Sequence, residues 1–123
     1  MPDSADTAAF IKDSFRSVWS LELLLLLKSD PHRTWSASEL VGHLRGSELI
    51  VRQSIEQLVA GGLVLVQDDG GAQYGPASPD LEALVEKSAT LYARRPDAVR
   101  RMIVLAANDQ LAAFADAFRL RKD

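Results

Sequence analysis

The stretch "QLVAGGLVLVQDDGGAQYG", residues 57–75, contains two glycine pairs, and each pair follows an apolar run. The first pair, Gly61-Gly62, follows a helical pattern, and glycine commonly ends helices because it tolerates the left-handed conformation. Residues 64–67 then alternate in the manner of a half-buried strand. The second pair lies in Asp-Asp-Gly-Gly, residues 68–71, which suits a hairpin turn, and residues 72–74 return antiparallel. The stretch therefore predicts a helix, a strand and a second strand.

The spacing of apolar residues before this stretch predicts the first of three helices, over residues 8–29. The second half of this helix, which includes "LELLLLLK", is apolar on every face. A helix of that kind is surrounded by other elements, so we expect it to run through the middle of the fold. Its apolar run is far shorter than the ~20 residues that a membrane-spanning helix needs, so we expect no contact with a membrane.

A short second helix is predicted over residues 37–45, and a capping box of Ser36 and Glu39 begins it. Gly46 is expected to end it in the left-handed conformation. Ser47 then caps a third helix. The apolar residues expected on the buried face of that helix are Val51, Ile55, Leu58 and Val59.

Residues 80–123 have the pattern of a helical extension. A helix over about residues 81–92 is followed by another that begins at Pro96, which suits a first-turn position. A separate last helix from about Asp109 carries one apolar stripe. The residues of the stripe are Leu111, Phe114, Ala115 and Phe118. The stripe either completes the core of the monomer or forms a dimer interface, and we predict a homodimer.

The composition indicates one globular domain of 123 residues with a net charge of -3. No cysteine is present, which excludes disulfides and thiolate metal sites and fits the reducing cytoplasm, where we expect the protein. The histidines, His32 and His43, are eleven residues apart and make a poor metal site. No nucleophile, base and orienting group is suggested together, so we expect neither an enzyme nor a cofactor.

The residues "SELIVRQSIEQLVAGGLVLVQDDGGAQYG", residues 47–75, resemble the recognition helix and wing of bacterial winged helix-turn-helix transcription regulators. The resemblance implies a mainly α fold with a small β-hairpin wing. It assigns residues 8–79 to the winged helix-turn-helix domain, preceded by a flexible N-terminus at residues 1–7 and followed by C-terminal helices. It also implies a dimeric transcription regulator that binds DNA through the helix at about residues 47–60. The DNA-binding residues implied are Arg45, Ser47, Arg52, Gln53 and Gln57.

Two features depart from that family's pattern. The third helix begins with the adjacent aliphatic residues Leu49 and Ile50, which either dock a protein partner or pack under the first helix. The wing tip contains Asp68 and Asp69, whose carboxylates repel phosphates. Residues 42–75 contain two arginines and four carboxylates, a net charge of -2, although phosphate neutralisation supplies most non-specific DNA affinity. The alternative function is therefore a protein–protein interaction module that does not bind DNA.

The run "YARRPDAVRR" carries a second candidate surface, since it gathers Arg94, Arg95, Arg100 and Arg101. These arginines either dock an acidic protein partner or a phosphate backbone, or form a solvated helix face. The two tryptophans, Trp19 and Trp35, are expected in the core.

Overall fold

The computed structural model describes residues 4–120, with side chains described for residues 5–109. The described chain is mainly helical and has one small two-stranded antiparallel sheet, as the sequence predicts. No helix within this part of the chain is long and apolar enough to cross a membrane. The elements in chain order are α1 (Ser4–Ser14), α2 (Val18–Ser29), α3 (Ala37–Leu44), α4 (Glu48–Ala60), β1 (Val64–Val66), β2 (Ala72–Tyr74), α5 (Pro79–Arg94) and α6 (Pro96–Leu120).

The first predicted helix is in fact two helices, so the prediction of one helix over residues 8–29 is wrong. The chain bends after α1, where the buried Phe15 lies. Ser17 then caps α2, because its hydroxyl accepts the N–H of Ser20 at 3.2 Å. The Ser20 hydroxyl in turn donates to the Ser17 carbonyl at 2.7 Å. The serine pair therefore satisfies one of the free N–H groups of the new helix start and ties Ser20 to the cap residue.

Helix α2 is the central element of the fold, as its apolar sequence predicts. It contacts α3, α4, β2 and α6. Four of its leucines are fully buried because neighbours cover it on several sides: Leu21, Leu23, Leu24 and Leu27.

The predicted capping box begins α3. The Glu39 N–H donates to the Ser36 hydroxyl at 3.1 Å, and the Ser36 N–H donates to the Glu39 carboxylate at 3.0 Å. The helix ends differently from the prediction, because Arg45 and not Gly46 adopts the left-handed conformation, with φ of 55°. Gly46 instead gives room to the Trp19 ring, which lies 3.4 Å from where a Cβ at residue 46 would be.

Helix α4 begins at the predicted cap, where the Ser47 hydroxyl accepts the Ile50 N–H at 3.1 Å. Its buried face is narrower than predicted. Val51, Ser54 and Leu58 are buried, but Val59 is 41% exposed. Ser54, and not Val59, completes the face that α4 turns to the core.

Both glycine pairs make the predicted turns. Gly62 has φ of 76° at the end of α4, and Gly70 has φ of 85° in the hairpin between β1 and β2. The strands pair antiparallel with Leu65 opposite Gln73. Trp35, which is buried as expected, forms a single bridge to Ala72 on the other side of β2. Strand β2 is therefore central and β1 is an edge.

The C-terminal region is formed by α5 and α6. Helix α6 begins at the predicted Pro96 but continues to Leu120, so the prediction of a separate last helix from about Asp109 is wrong. Val99 and Ile103 anchor it in the core, and it packs against α1 and α5. The predicted dimerisation residues, Leu111, Phe114 and Phe118, have side chains outside the described residues.

Candidate recognition surface

The first turn of α4 protrudes from the fold because the opposite side of the helix is anchored. Val51 and Leu58 are buried, and α4 packs against α2 and α3. Successive helix residues are about 100° apart, so Ile50, next to Val51, lies on the flank, and Leu49, two positions from Val51, lies on the outer face. Leu49 is accordingly 64% exposed and Ile50 36% exposed. Of the two interpretations left open by the sequence, packing under the first helix is therefore wrong for Leu49.

The residues implied to bind DNA lie on or beside α4, but only some of them are free to bind. Arg45 and Gln53 are exposed, whereas Gln57 is half-buried. The Ser47 hydroxyl is used in the helix cap. The Arg52 guanidinium donates to the Glu48 carboxylate at 2.7 Å, one helical turn away. The positive charge of Arg52 is thus already compensated within α4.

A groove of about 610 Å³ separates α4 from the hairpin, and its walls carry more negative than positive charge. Ile55 and Val66 supply apolar surface, while Glu56 on α4 and Asp69 in the hairpin supply carboxylates. The Asp69 carboxylate accepts the Gly71 N–H at 2.9 Å, which orients it within the turn. Neither carboxylate forms an ion pair with a described residue.

Residues at the start of α3 also line this groove. Glu39 lies there and accepts the backbone N–H of Ser36, and its second oxygen pairs with Arg33. These contacts, with the backbone hydrogen bond first, lower the pKa of the Glu39 carboxyl from its usual value. The Arg33 guanidinium also stacks 3.6 Å from the centre of the Trp35 ring. Arg33 and Glu39 therefore stabilise the start of α3 and leave little charge free for a ligand.

A second groove, of about 650 Å³, lies between α4 and the bend that separates α1 from α2. Arg16 and Trp19 form one side, and Ile50, Gln53 and Gln57 form the other. Trp19 is only half-buried here, whereas the sequence places it in the core. The sequence did not indicate this groove because the bend itself was not predicted; the pair Ser17 and Ser20 is the signal that would have located it.

The arginines of the second candidate surface lie where α5 meets α6. Arg94, Arg95 and Arg101 are exposed. Arg100 has a structural role, because its guanidinium lies 5.6 Å from the centre of the Tyr92 ring and 3.4 Å from the Asp97 carboxylate. These arginines belong to a different part of the fold from the first turn of α4, so the two candidate surfaces are separate.

Two buried polar atoms have no hydrogen-bond partner among the described residues: Trp35 Nε1 and the Tyr74 hydroxyl. Burial, with smaller contributions from the carboxylates of Glu82 and Glu86, raises the pKa of Tyr74 to about 12. The ring of Trp35 is instead held by packing, since His43 meets it edge to face with ring centres 5.0 Å apart. Neither group lines either of the two grooves.

The described residues contain no group of three His, Cys, Asp or Glu side chains that could hold a metal ion. His43 contacts Trp35, and His32 is exposed in the turn after α2.

Comparisons with known proteins found no family model, no curated protein and no solved structure that matches the chain. The features on which a function can be assigned are those of the chain itself: the exposed first turn of α4, the acidic hairpin and the arginines between α5 and α6.

Proposed function

We propose that the chain is a winged helix-turn-helix module that docks a protein partner on the exposed first turn of α4. The order of elements supports this fold. Helices α2, α3 and α4 are followed by the hairpin β1–β2, and α3 and α4 are joined by a tight turn at residues 45–47. Trp35 supports it further, because its bridge to Ala72 supplies the position of a third short strand between α2 and α3.

The observation that carries the docking function is the exposure of Leu49 and Ile50 at the start of α4. Fully burying a side chain of this size in an interface is worth about 1.5–3 kcal/mol. Contact with DNA phosphates requires cations. Here the nearest cation on α4, Arg52, is paired with Glu48, and the hairpin tip is acidic. The chemistry of the surface therefore favours a protein over DNA.

DNA binding by a dimeric transcription regulator is the second candidate function, and one observation favours it. Arg45 and Gln53 are both exposed beside the start of α4, where the helix dipole also favours an anion. Guanidinium and amide groups suit base edges and phosphates. In this case, Arg45, Gln53 and Arg52 are the side chains that contact DNA.

Retention on heparin and on duplex DNA across a salt series separates the two functions. We expect no retention near physiological salt for the wild type. Changing both Asp68 and Asp69 to Asn removes the repulsion between the hairpin carboxylates and DNA phosphates. Weak binding of DNA by this variant would show that the fold can bind DNA when the hairpin is not acidic. Retention of the wild type that Arg52→Ala reduces, with a salt slope lower by about one counterion, would establish DNA binding instead.

The docking surface itself is tested with a photo-crosslinking amino acid introduced at residue 49 in the native host. The matched control carries the same amino acid at residue 59, which is also exposed on α4 but lies at the opposite end of the helix. We expect a discrete crosslinked species from residue 49 only. Crosslinks of equal yield from both positions would contradict a specific surface at the first turn.

A further inference from the structure

Strand β1 presents an open backbone edge at its last residue, Val66. The Gln67 N–H donates to the Gly71 carbonyl at 2.8 Å, and the Gly75 N–H donates to the Leu63 carbonyl at 3.0 Å. The backbone N–H and C=O groups of successive strand residues point in opposite directions. These two bonds therefore show that the N–H and C=O groups of the odd-numbered residues point toward β2. The N–H and C=O groups of Val64 and Val66 therefore point away from β2. Val64 is only 2% exposed, so the accessible part of this edge is at Val66. The opposite side of β2 is already occupied by Trp35, so the free edge of this sheet belongs to β1.

The side chains on this edge are unusual for an exposed strand. Leu65 is 54% exposed and Val66 is 50% exposed. Proteins commonly protect an edge strand with lysine, proline or a bulge, and residues 63–75 contain neither lysine nor proline. The shortness of β1 and the burial of Val64 limit pairing with another strand to the end of β1 at Val66. The edge thus offers both backbone hydrogen bonds and apolar contacts to an added strand.

Charge determines which strand fits. Val66 also lines the groove between the hairpin and α4, where the carboxylates of Glu56 and Asp69 stand on opposite walls without an ion-pair partner among the described residues. The one arginine in this groove, Arg52, is held by Glu48. A strand that enters beside Val66 is therefore favoured if it carries lysine or arginine, and disfavoured if it carries carboxylates.

We propose that the β1 edge binds an extended, basic segment of a protein partner by strand addition. Alternate residues of an added strand face opposite sides. The segment therefore alternates lysines or arginines, which enter the groove beside Val66 and meet Glu56 and Asp69, with aliphatic residues, which pack on Leu65 on the opposite face. This proposal names the chemistry of the docked protein and so rests on the proposed function.

The test uses the full chain and three synthetic hexapeptides: alternating lysine and valine, alternating glutamate and valine, and the lysine–valine peptide N-methylated on alternate amides. Binding is followed by NMR of the ¹⁵N-labelled protein. We expect the lysine–valine peptide to shift the amide signals of Val64 and Val66. N-methylation, which removes the edge hydrogen bonds, should weaken binding by about tenfold or more.

Variants of the chain give matched controls. Changing Glu56 to Gln and Asp69 to Asn together should abolish the preference for lysine over glutamate, while the asparagine oxygen can still accept the Gly71 N–H. Val104→Lys, which changes an exposed residue of α6 that does not line the groove, should leave peptide binding unchanged. Equal binding of the lysine and glutamate peptides, no binding, or undiminished binding of the N-methylated peptide would each overturn the proposal.

Two further outcomes identify other occupants and would also overturn it. Shifts at Val64 and Val66 caused by duplex DNA would assign the edge to nucleic acid, and shifts that depend on protein concentration alone would assign it to a second copy of the chain. A failed peptide test with a specific crosslink at residue 49 refutes only strand addition. Loss of the residue 49 crosslink refutes the docking function on α4.

Discussion

Replacing Gly62 by alanine tests the turn that connects α4 to the hairpin. Three hydrogen bonds close this turn: the N–H groups of Gly61, Gly62 and Leu63 donate to the carbonyls of Gln57, Val59 and Leu58 at 3.0, 3.0 and 2.9 Å. The last two form the Schellman pattern, which requires a left-handed residue directly after the cap. Gly62 meets that requirement with φ of 76°. The turn therefore depends on the absence of a Cβ at residue 62.

The magnitude follows from the backbone conformation and from the space around it. A left-handed conformation costs an ordinary residue about 1–2 kcal/mol. A Cβ at residue 62 would also lie 3.3 Å from the Ala77 Cβ and 3.5 Å from Leu81 Cδ1, so that Ala77 must shift slightly. Alanine also lowers the conformational entropy of the unfolded chain, which stabilises the folded state by about 0.4–1 kcal/mol. We expect Gly62→Ala to lower the free energy of unfolding by about 1 kcal/mol, and Gly62→Val, whose branched side chain needs more room, to lower it by more than that.

Gly61→Ala is the matched control, since Gly61 has the ordinary φ of -80°. A Cβ there would lie 3.6 Å and 3.7 Å from the carbonyl oxygens of Gln57 and Leu58, which is normal contact. We expect no loss, and a gain of up to about 1 kcal/mol. Urea denaturation followed by circular dichroism measures both variants against the wild type. Equal stability of Gly61→Ala and Gly62→Ala would refute the assignment of the turn to Gly62.

Three other predictions follow from buried polar groups and from α6. Tyr74→Phe should raise the free energy of unfolding by about 1 kcal/mol because it removes an unpaired buried hydroxyl, whereas Tyr92→Phe should lower it by a similar amount because the Tyr92 hydroxyl donates to Glu22 at 2.9 Å. The folded pKa of Tyr74 is raised from 10.0 to about 12, so the unfolded chain releases this proton first, and the free energy of unfolding is unaffected below pH 10.0 but falls as the pH rises toward 12. Tyr74→Phe should lack this fall, which urea denaturation of both proteins at each pH measures. If α6 mediates a homodimer, Phe114→Ser with Phe118→Ser should give a monomer in light scattering that keeps its helical circular dichroism, and a wild type that is monomeric at high micromolar concentration would exclude the dimer.

Local chemistry made several parts of the fold predictable from the sequence. The capping box of Ser36 and Glu39, the cap at Ser47 and the left-handed turns at Gly62 and Gly70 each depend on residues close together in the chain. Such features need no knowledge of the tertiary structure. They sufficed to predict α3, α4 and the hairpin in the correct order.

The bend before α2 was missed because two local signals conflict there. The apolar spacing of Ile11, Phe15 and Val18 continues a helical pattern across the bend. Ser17 competes with that pattern, since its side chain can cap a new helix. In the fold a new helix begins after the Ser17 cap, and Phe15 is fully buried beside the bend. Sequence periodicity alone does not decide between these outcomes, so the groove beside Trp19 was not predictable either.

The opposite error occurred in α6. A separate helix was predicted from about Asp109, and Asn108 and Asp109 are both of residue types that favour caps. Within a helix, however, each is less favourable than alanine by well under 1 kcal/mol. The alanines at 106 and 107 and the residues that follow favour continuation, and the helix is uninterrupted from Pro96 to Leu120. A weak capping signal inside a strong helical segment does not end the helix.

The position of the candidate surface and its chemistry depend on different residues. The pattern of buried residues fixes which side of α4 faces outward, and the same outward face would suit a DNA-reading helix or a protein-docking helix. Arg52 illustrates the difference, since its spacing from Glu48 forms an i, i+4 ion pair that stabilises the helix by about 0.2–0.5 kcal/mol and leaves the cation less available to a phosphate. Leu49 has no comparable internal role, because its side chain is mostly exposed. Leu49 also lies near Arg52, whose charge is paired with Glu48. Such an aliphatic side chain gains more from burial in a protein interface than from contact with a phosphate backbone.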